Sequence, residues 1–222
     1  LKMEPTAAEN NNNVWLFYPN LIGYGRIVLA ILAMYYMSSA PWCAMFCYAL
    51  SAGLDAFDGW AARTYNQSSR FGAMLDQLTD RCALLALVMA LCKFYPDHLF
   101  LLQLSAVIDI ASHWLHLHAT DLSGATSHKQ SSNWLLNLYY TDRLFLGFMC
   151  GGNEAFYILL YIRAFWAGPL IFNFHFMSIF PLIAFPIAFV KSAISVVHLY
   201  TAAEMVVAHD VKLRVEAAQK AQ

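Results

Sequence analysis

The chain has 222 residues, of which 60% are hydrophobic and only 12% charged, with a formal net charge of −1. That balance lies outside the range of ordinary soluble domains, and no basic run suggests a phosphate-backbone partner, so no nucleic acid is expected. Long apolar stretches joined by short connections leave no room for a separate soluble domain. They predict an all-α integral membrane protein whose partner is the lipid bilayer: six transmembrane helices in one bundle, preceded by a short N-terminal surface segment.

Residues 1–13 are polar, carry the run Asn10 to Asn13, and are expected to be disordered. They have no basic n-region or cleavage site, so no secretory signal peptide is read there. The segment VWLFYPNLIGYGRI follows, with a Pro-Asn break and one cation, Arg26. Trp15, Phe17 and Tyr18 suit the membrane–water boundary, where amphipathic rings settle. A spanning helix needs about 20 apolar residues, and candidates lie near 21–39, 42–64, 72–95, 99–118, 144–165 and 178–205. Ser38-Ser39-Ala40-Pro41 ends the first, and Asn66-Gln67-Ser68-Ser69 turns the second into the third. Tyr95-Pro96-Asp97 separates the third from the fourth, and 119–137 is the longest internal loop. The sixth ends near Glu204, and VVAHDVKLRVEAAQKAQ reads as a polar, partly helical end. The organisation is thus a polar start (1–13), a membrane domain (14–206) and a C-terminal tail (207–222).

Lys2, Arg63, Arg70, Lys129, Arg143, Lys212, Arg214 and Lys220 fall on one side of this arrangement. Lys93 and Arg163 fall on the other. The positive-inside rule then puts both termini in the cytosol. Cys43, Cys47, Cys82, Cys92 and Cys150 lie in or beside apolar spans. Their odd number argues against a disulfide framework and for buried thiols.

Asp55, Asp58, Asp76 and Asp80 lie inside two of these apolar stretches. An ionisable group at membrane depth is costly and marks a functional site by default. On a helix, Asp55, Asp58, Gly59, Ala62 and Arg63 share one stripe, and Gly72, Asp76 and Asp80 share another. Closing an antiparallel hairpin about Gln67-Ser68 sets Asp55 against Asp80 and Gly59 against Asp76. Four converging carboxylates cannot all stay ionised without a counter-charge, so something cationic must sit between them. Hard divalent ions suit oxygen ligands of this kind, with magnesium or manganese the natural choices. Gly59, Ala62 and Gly72 let a phosphate approach the backbone, and Arg63 offers phosphate oxygens a planar fork.

Asp109, Ser112, His113, His116 and His118 gather near the end of the fourth span. The His113–His116 spacing could suit zinc, but hydrogen bonding near the membrane surface is the plainer reading. Lys129, Arg143 and Lys191 could bind a polyol, and Lys191, within a span, is the hardest to dismiss. No Ser, Cys or His on the aspartate stripes is placed to form a covalent intermediate.

The order and spacing DxxDGxxARx8GxxxDxxxD, from Asp55 to Asp80, resembles the signature of the CDP-alcohol phosphotransferases, with no departure. PNLIGYGRI, LDAFDGWAAR, RFGAMLDQLTDRC, SHWLHLH and KSAISVVHL are similar to the inositol-using eukaryotic branch of that family. The resemblance implies a six-span, usually dimeric enzyme of the endoplasmic reticulum membrane, its active site facing the cytosol. It implies conversion of CDP-diacylglycerol and myo-inositol to phosphatidylinositol and CMP, with Mg2+ or Mn2+. It assigns Asp80 as general base, Asp55, Asp58 and Asp76 as principal metal ligands with Asp80 close by, and Gly59, Arg63 and Ser69 as contacts to the CDP-lipid. The competing readings are a relative using another alcohol acceptor and a divalent-cation transporter.

Overall fold

The computed structural model describes residues 13–123, 142–171 and 174–220. The polar start up to Asn12 and most of the expected 119–137 loop, Lys129 included, lie outside them. A 3-10 turn at Val14–Leu16 leads into helix α1 (Tyr18–Tyr36), followed by α2 (Pro41–Thr64) and α3 (Arg70–Phe94). After these come α4 (Leu99–Ser123), α5 (Arg143–Phe165) and α6 (Ile179–Lys220). The all-helical expectation holds apart from one small antiparallel pair, β1 (Leu170–Ile171) with β2 (Phe174–His175), which the sequence analysis did not foresee. The chain divides into two compact units at Ala90 and Leu91.

In the first unit, the helix boundaries follow local chemistry. The expected Pro-Asn break is instead the first turn of α1, because Pro19 stands where a helix has no use for its N–H. Pro41 opens α2 in the same way. At the other end of α2, the Gln67 N–H donates to the Ala62 carbonyl at 2.9 Å and the Tyr65 N–H to Ala61 at 2.9 Å. Asn66 between them has φ 53°, the left-handed cap that asparagine tolerates better than most residues. Ser69 then caps α3, its Oγ accepting from the Gly72 N–H at 2.9 Å. The tight reversal predicted around Asn66–Ser69 is therefore built by two successive caps.

The buried face of α1 carries Asn20, Gly23, Arg26, Ala30 and Ala33, spaced by three or four residues. This face packs along α2, where the Ser51 hydroxyl donates to the Arg26 carbonyl at 3.1 Å. At Gly23 the approach to α3 is close, since a Cβ there would lie 2.9 Å from Leu75 Cδ2 and that side chain would have to shift.

In the second unit, α4 and α5 both pack on α6. Met149 and Ile194 are buried there beneath Phe145, Leu146, Ile187 and Val197. A Cβ at Gly152 would lie 2.6 Å from Ile187 Cγ2, so the glycine sets how closely α5 and α6 approach. Arg163 is held at its own end of α5, donating from Nε to Ser178 Oγ at 2.8 Å and from Nη1 to the Tyr95 hydroxyl at 3.3 Å.

Three described segments are long and apolar enough to cross a bilayer: Pro96–Leu122, Leu144–Phe165 and Phe176–Lys220. Large apolar side chains such as Phe46, Phe57, Leu144 and Leu182 point outward, as expected of helices facing lipid. α1, α2 and α3 do not reach that apolar standard, and all three carry charged side chains. α6 is 42 residues long, about 63 Å at 1.5 Å per residue and roughly twice the hydrocarbon thickness. It passes Glu204, the expected end of the span, without a break and continues to Lys220. All five cysteines are free, as expected, but they are not buried: Cys43 and Cys82 are exposed and the other three are partly covered.

Candidate metal centre

α2 carries Asp55 and Asp58, α3 carries Asp76 and Asp80, and the four carboxylates converge on one guanidinium from α1. Arg26 Nη1 lies 2.8 Å from Asp55 Oδ1, 2.5 Å from Asp58 Oδ2 and 2.6 Å from Asp76 Oδ1. Its Nη2 donates to Asp80 Oδ1. The Arg26 side chain is 1% exposed and that of Asp58 11%, whereas Asp55, Asp76 and Asp80 are 45%, 43% and 36% exposed. The cluster thus has a buried floor, Arg26 with Asp58, and an open side formed by the other three acids.

The cation expected between the aspartates is therefore present in the chain itself. In the sequence Arg26 stands out only as the lone charge of its segment, with no motif to tie it to the acids. The signal was available: the rule that makes an intramembrane aspartate a functional candidate applies equally to an intramembrane arginine. One guanidinium does not saturate the site. Four carboxylates face Arg26, and the next cation, Arg81, comes only to 3.9 Å from Asp80. Arg26 Nη1 also has just two protons for three carboxylate oxygens within 2.8 Å, and it hydrogen-bonds Asp58 and Asp76.

A divalent metal fits this donor set. One oxygen each from Asp55, Asp76 and Asp80 lies within 4.8 Å of the others, the only such group among the described residues. Carboxylate oxygens are the ligands that small hard cations prefer. The geometry groups Asp80 with the open acids and leaves Asp58 as the buried one, a different division from the one the family resemblance implied.

The remaining candidates surround the acids. A Cβ on Gly59 would lie 3.4 Å from Arg63 Nη1, so the arginine folds back over the glycine one turn before it. Arg63 is exposed, and no carboxylate pairs with it among the described residues. The Ser69 oxygen is engaged as the α3 cap. A Cβ on Gly72 would meet Asn20 Oδ1 at 2.7 Å and Ser69 Oγ at 3.1 Å. Asn20 is 1% exposed and donates from Nδ2 to the Val14 carbonyl at 2.5 Å. Its Oδ1, like Arg26 Nε, is buried without a hydrogen-bond partner among the described residues.

A second polar group lies in the other unit. His113 Nδ1 is 2.7 Å from the Asp109 carbonyl and 3.3 Å from Ser112 Oγ. The His198 ring on α6, which the sequence analysis did not connect to this group, is 4.1 Å from the His116 ring and 6.2 Å from that of His113. Lys191 is buried and donates to Ser195 Oγ at 3.1 Å. The contacts of His113 to the Asp109 carbonyl and to Ser112 Oγ are hydrogen bonds of the kind the sequence suggested for this group. Arg143 begins α5 next to its cap, Asp142, and its side chain lies outside the described set.

This helical chain belongs to the CDP-alcohol phosphatidyltransferase family, whose model matches residues 16–134. That stretch includes Arg26 and all four aspartates. Among its relatives is the CDP-diacylglycerol--inositol 3-phosphatidyltransferase of Drosophila melanogaster, 49% identical over 98% of this chain and 96% of the fly protein. The Rattus norvegicus protein of the same name is 51% identical over 89% of this chain and 94% of its own. A probable CDP-diacylglycerol--inositol 3-phosphatidyltransferase 2 from Arabidopsis thaliana is 39% identical over 90% and 93%. No solved structure matches significantly. The chain is a multi-pass membrane protein of this family.

Proposed function

We propose that this chain transfers the phosphatidyl group of CDP-diacylglycerol to myo-inositol, giving phosphatidylinositol and CMP. The observation that carries the reading is the open trio Asp55, Asp76 and Asp80 above a buried Asp58–Arg26 floor, in a chain whose relatives bear that activity in their names.

Asp55, Asp58, Asp76 and Asp80 would hold Mg2+ or Mn2+, which when bound supplies positive charge for phosphate oxygens. Asp80 accepts the proton of an inositol hydroxyl, a poor nucleophile at neutral pH, as that oxygen attacks the lipid-linked phosphorus. The new O–P bond forms while the bond to CMP breaks, and CMP leaves with the electron pair. Gly59 permits close approach of the diphosphate, and Arg63, exposed one turn on, pairs with its oxygens. Ser69 holds the start of α3, and hence Gly72 and Asp76, in register, and its hydroxyl proton remains for the lipid phosphate.

In the same reading, six helices span the membrane, residues 14–206 form the catalytic membrane domain, and 207–222 form a cytosolic tail. Both termini and the acid cluster face the cytosol of the endoplasmic reticulum membrane, and the protein works as a homodimer. Positive charge near Arg63 and Arg70 supports this orientation.

The decisive assay supplies CDP-diacylglycerol and Mn2+ to the protein in membranes and measures CMP with and without each candidate alcohol. CMP release should require inositol, and Asp80→Asn should slow it by roughly 10²- to 10⁴-fold while CDP-lipid binding persists. Release that ignores inositol overturns the acceptor, and wild-type turnover in Asp80→Asn removes that residue from the base role.

A further inference from the structure

The acid cluster already holds a cation, and its fit is poor in an informative way. Arg26 Nη1 has three carboxylate oxygens at 2.5 to 2.8 Å but only two protons to give. A planar guanidinium is matched by paired oxygens in its own plane. Oxygens crowded round one nitrogen instead resemble the shell of a spherical ion. The rest of the side chain is under-used, since Nε is buried with no hydrogen-bond partner among the described residues. Arg26 lies almost wholly inside the protein, so these contacts are not an incidental surface pairing.

We propose that Arg26 is the built-in counter-ion of the acid cluster, competing with divalent metal for the same carboxylates and giving up at least some of them when metal binds. This rests on the reading of the cluster as a metal centre. The physical reason is charge. Helices α2 and α3 hold four ionised acids together only with a cation beside them. A buried arginine on α1 keeps the carboxylates gathered until an ion with twice the charge takes over part of its contacts. The competition sets a ceiling on metal affinity before the lipid arrives. It also leaves a buried guanidinium in need of an anion, and the phosphates of the activated lipid are the anions this reaction brings.

The test is metal binding without turnover. Mn2+ is titrated by electron paramagnetic resonance into lipid-free protein in detergent, comparing the wild type with Arg26→Met and Arg26→Lys. Arg26→Met should bind Mn2+ more tightly, by at least about 5-fold, the lower end of the range usual for coupling between distinct sites, and its melting temperature should fall in EDTA and recover with Mn2+. Arg26→Lys keeps a charge that competes for the carboxylates and should bind Mn2+ more weakly than Arg26→Met. Unchanged or weaker Mn2+ binding by Arg26→Met overturns the proposal. Should that variant not fold, the wild type decides: the 15N resonance of the Arg26 Nε–H must shift on Mg2+ saturation, and a static signal overturns the exchange. A wild type that binds no Mn2+ overturns the metal reading itself and this inference with it.

Discussion

Asp55 and Asp58 are one turn apart on α2, yet the structure gives them different work. Asp58 is 11% exposed and bonded to the buried Arg26 at 2.5 Å, whereas Asp55 is 45% exposed. Removing one partner of a buried ion pair costs about 3–5 kcal/mol when nothing replaces it. Three other acids still face Arg26, so Asp58→Ala should lose less, about 1–3 kcal/mol. Asp55→Ala should be milder for stability. Both should abolish metal-dependent CMP release. Thermal melts in EDTA separate the two, and equal melting points would show that the division into floor and open side has no energetic meaning. At this scale the sequence was most readable for the aspartates, because charge in an apolar run is conspicuous. Arg26 was equally conspicuous by that rule, but no motif partner drew attention to it.

The α2–α3 hairpin is the element on which the site depends. Its register was legible because a short turn between two helices leaves little freedom: pairing about Gln67-Ser68 sets Asp55 against Asp80 whatever the rest of the fold does. The turn itself rests on Asn66 at φ 53° and on the Ser69 cap. Asn66→Val should cost about 1–2 kcal/mol, since a β-branched residue is strained in that conformation, while Asn66→Gly should be neutral or better. Melting temperatures check this directly, and a valine variant as stable as the wild type would show that the turn has other routes. The start of α1 was less legible, because a Pro-Asn pair signals a break as readily as the first turn of a helix. Only the burial of Asn20, Gly23 and Arg26 on one face settles it as helix.

For the whole molecule, the long α6 separates what the membrane domain needs from what extends beyond it. Residues 211–220 of that helix are exposed throughout, and no core residue lies among them. Deleting 207–222 should leave inositol-dependent CMP release within about twofold, as expected where the affected backbone packs against little. A tenfold loss would place the tail in the working fold.

Composition and pattern alone determined the membrane-protein class, the helical elements, the acidic stripes and their hairpin pairing. Each of these follows from the local chain, through the period of a helix, the length of an apolar run or the reach of a tight turn. Tertiary structure decided that Arg26 comes from α1 to stand among the four acids, that Asp58 is buried while its neighbours are open, and that His198 joins His113 and His116. Such contacts depend on how a helix is rotated about its axis against distant partners, a quantity that no short stretch of sequence encodes.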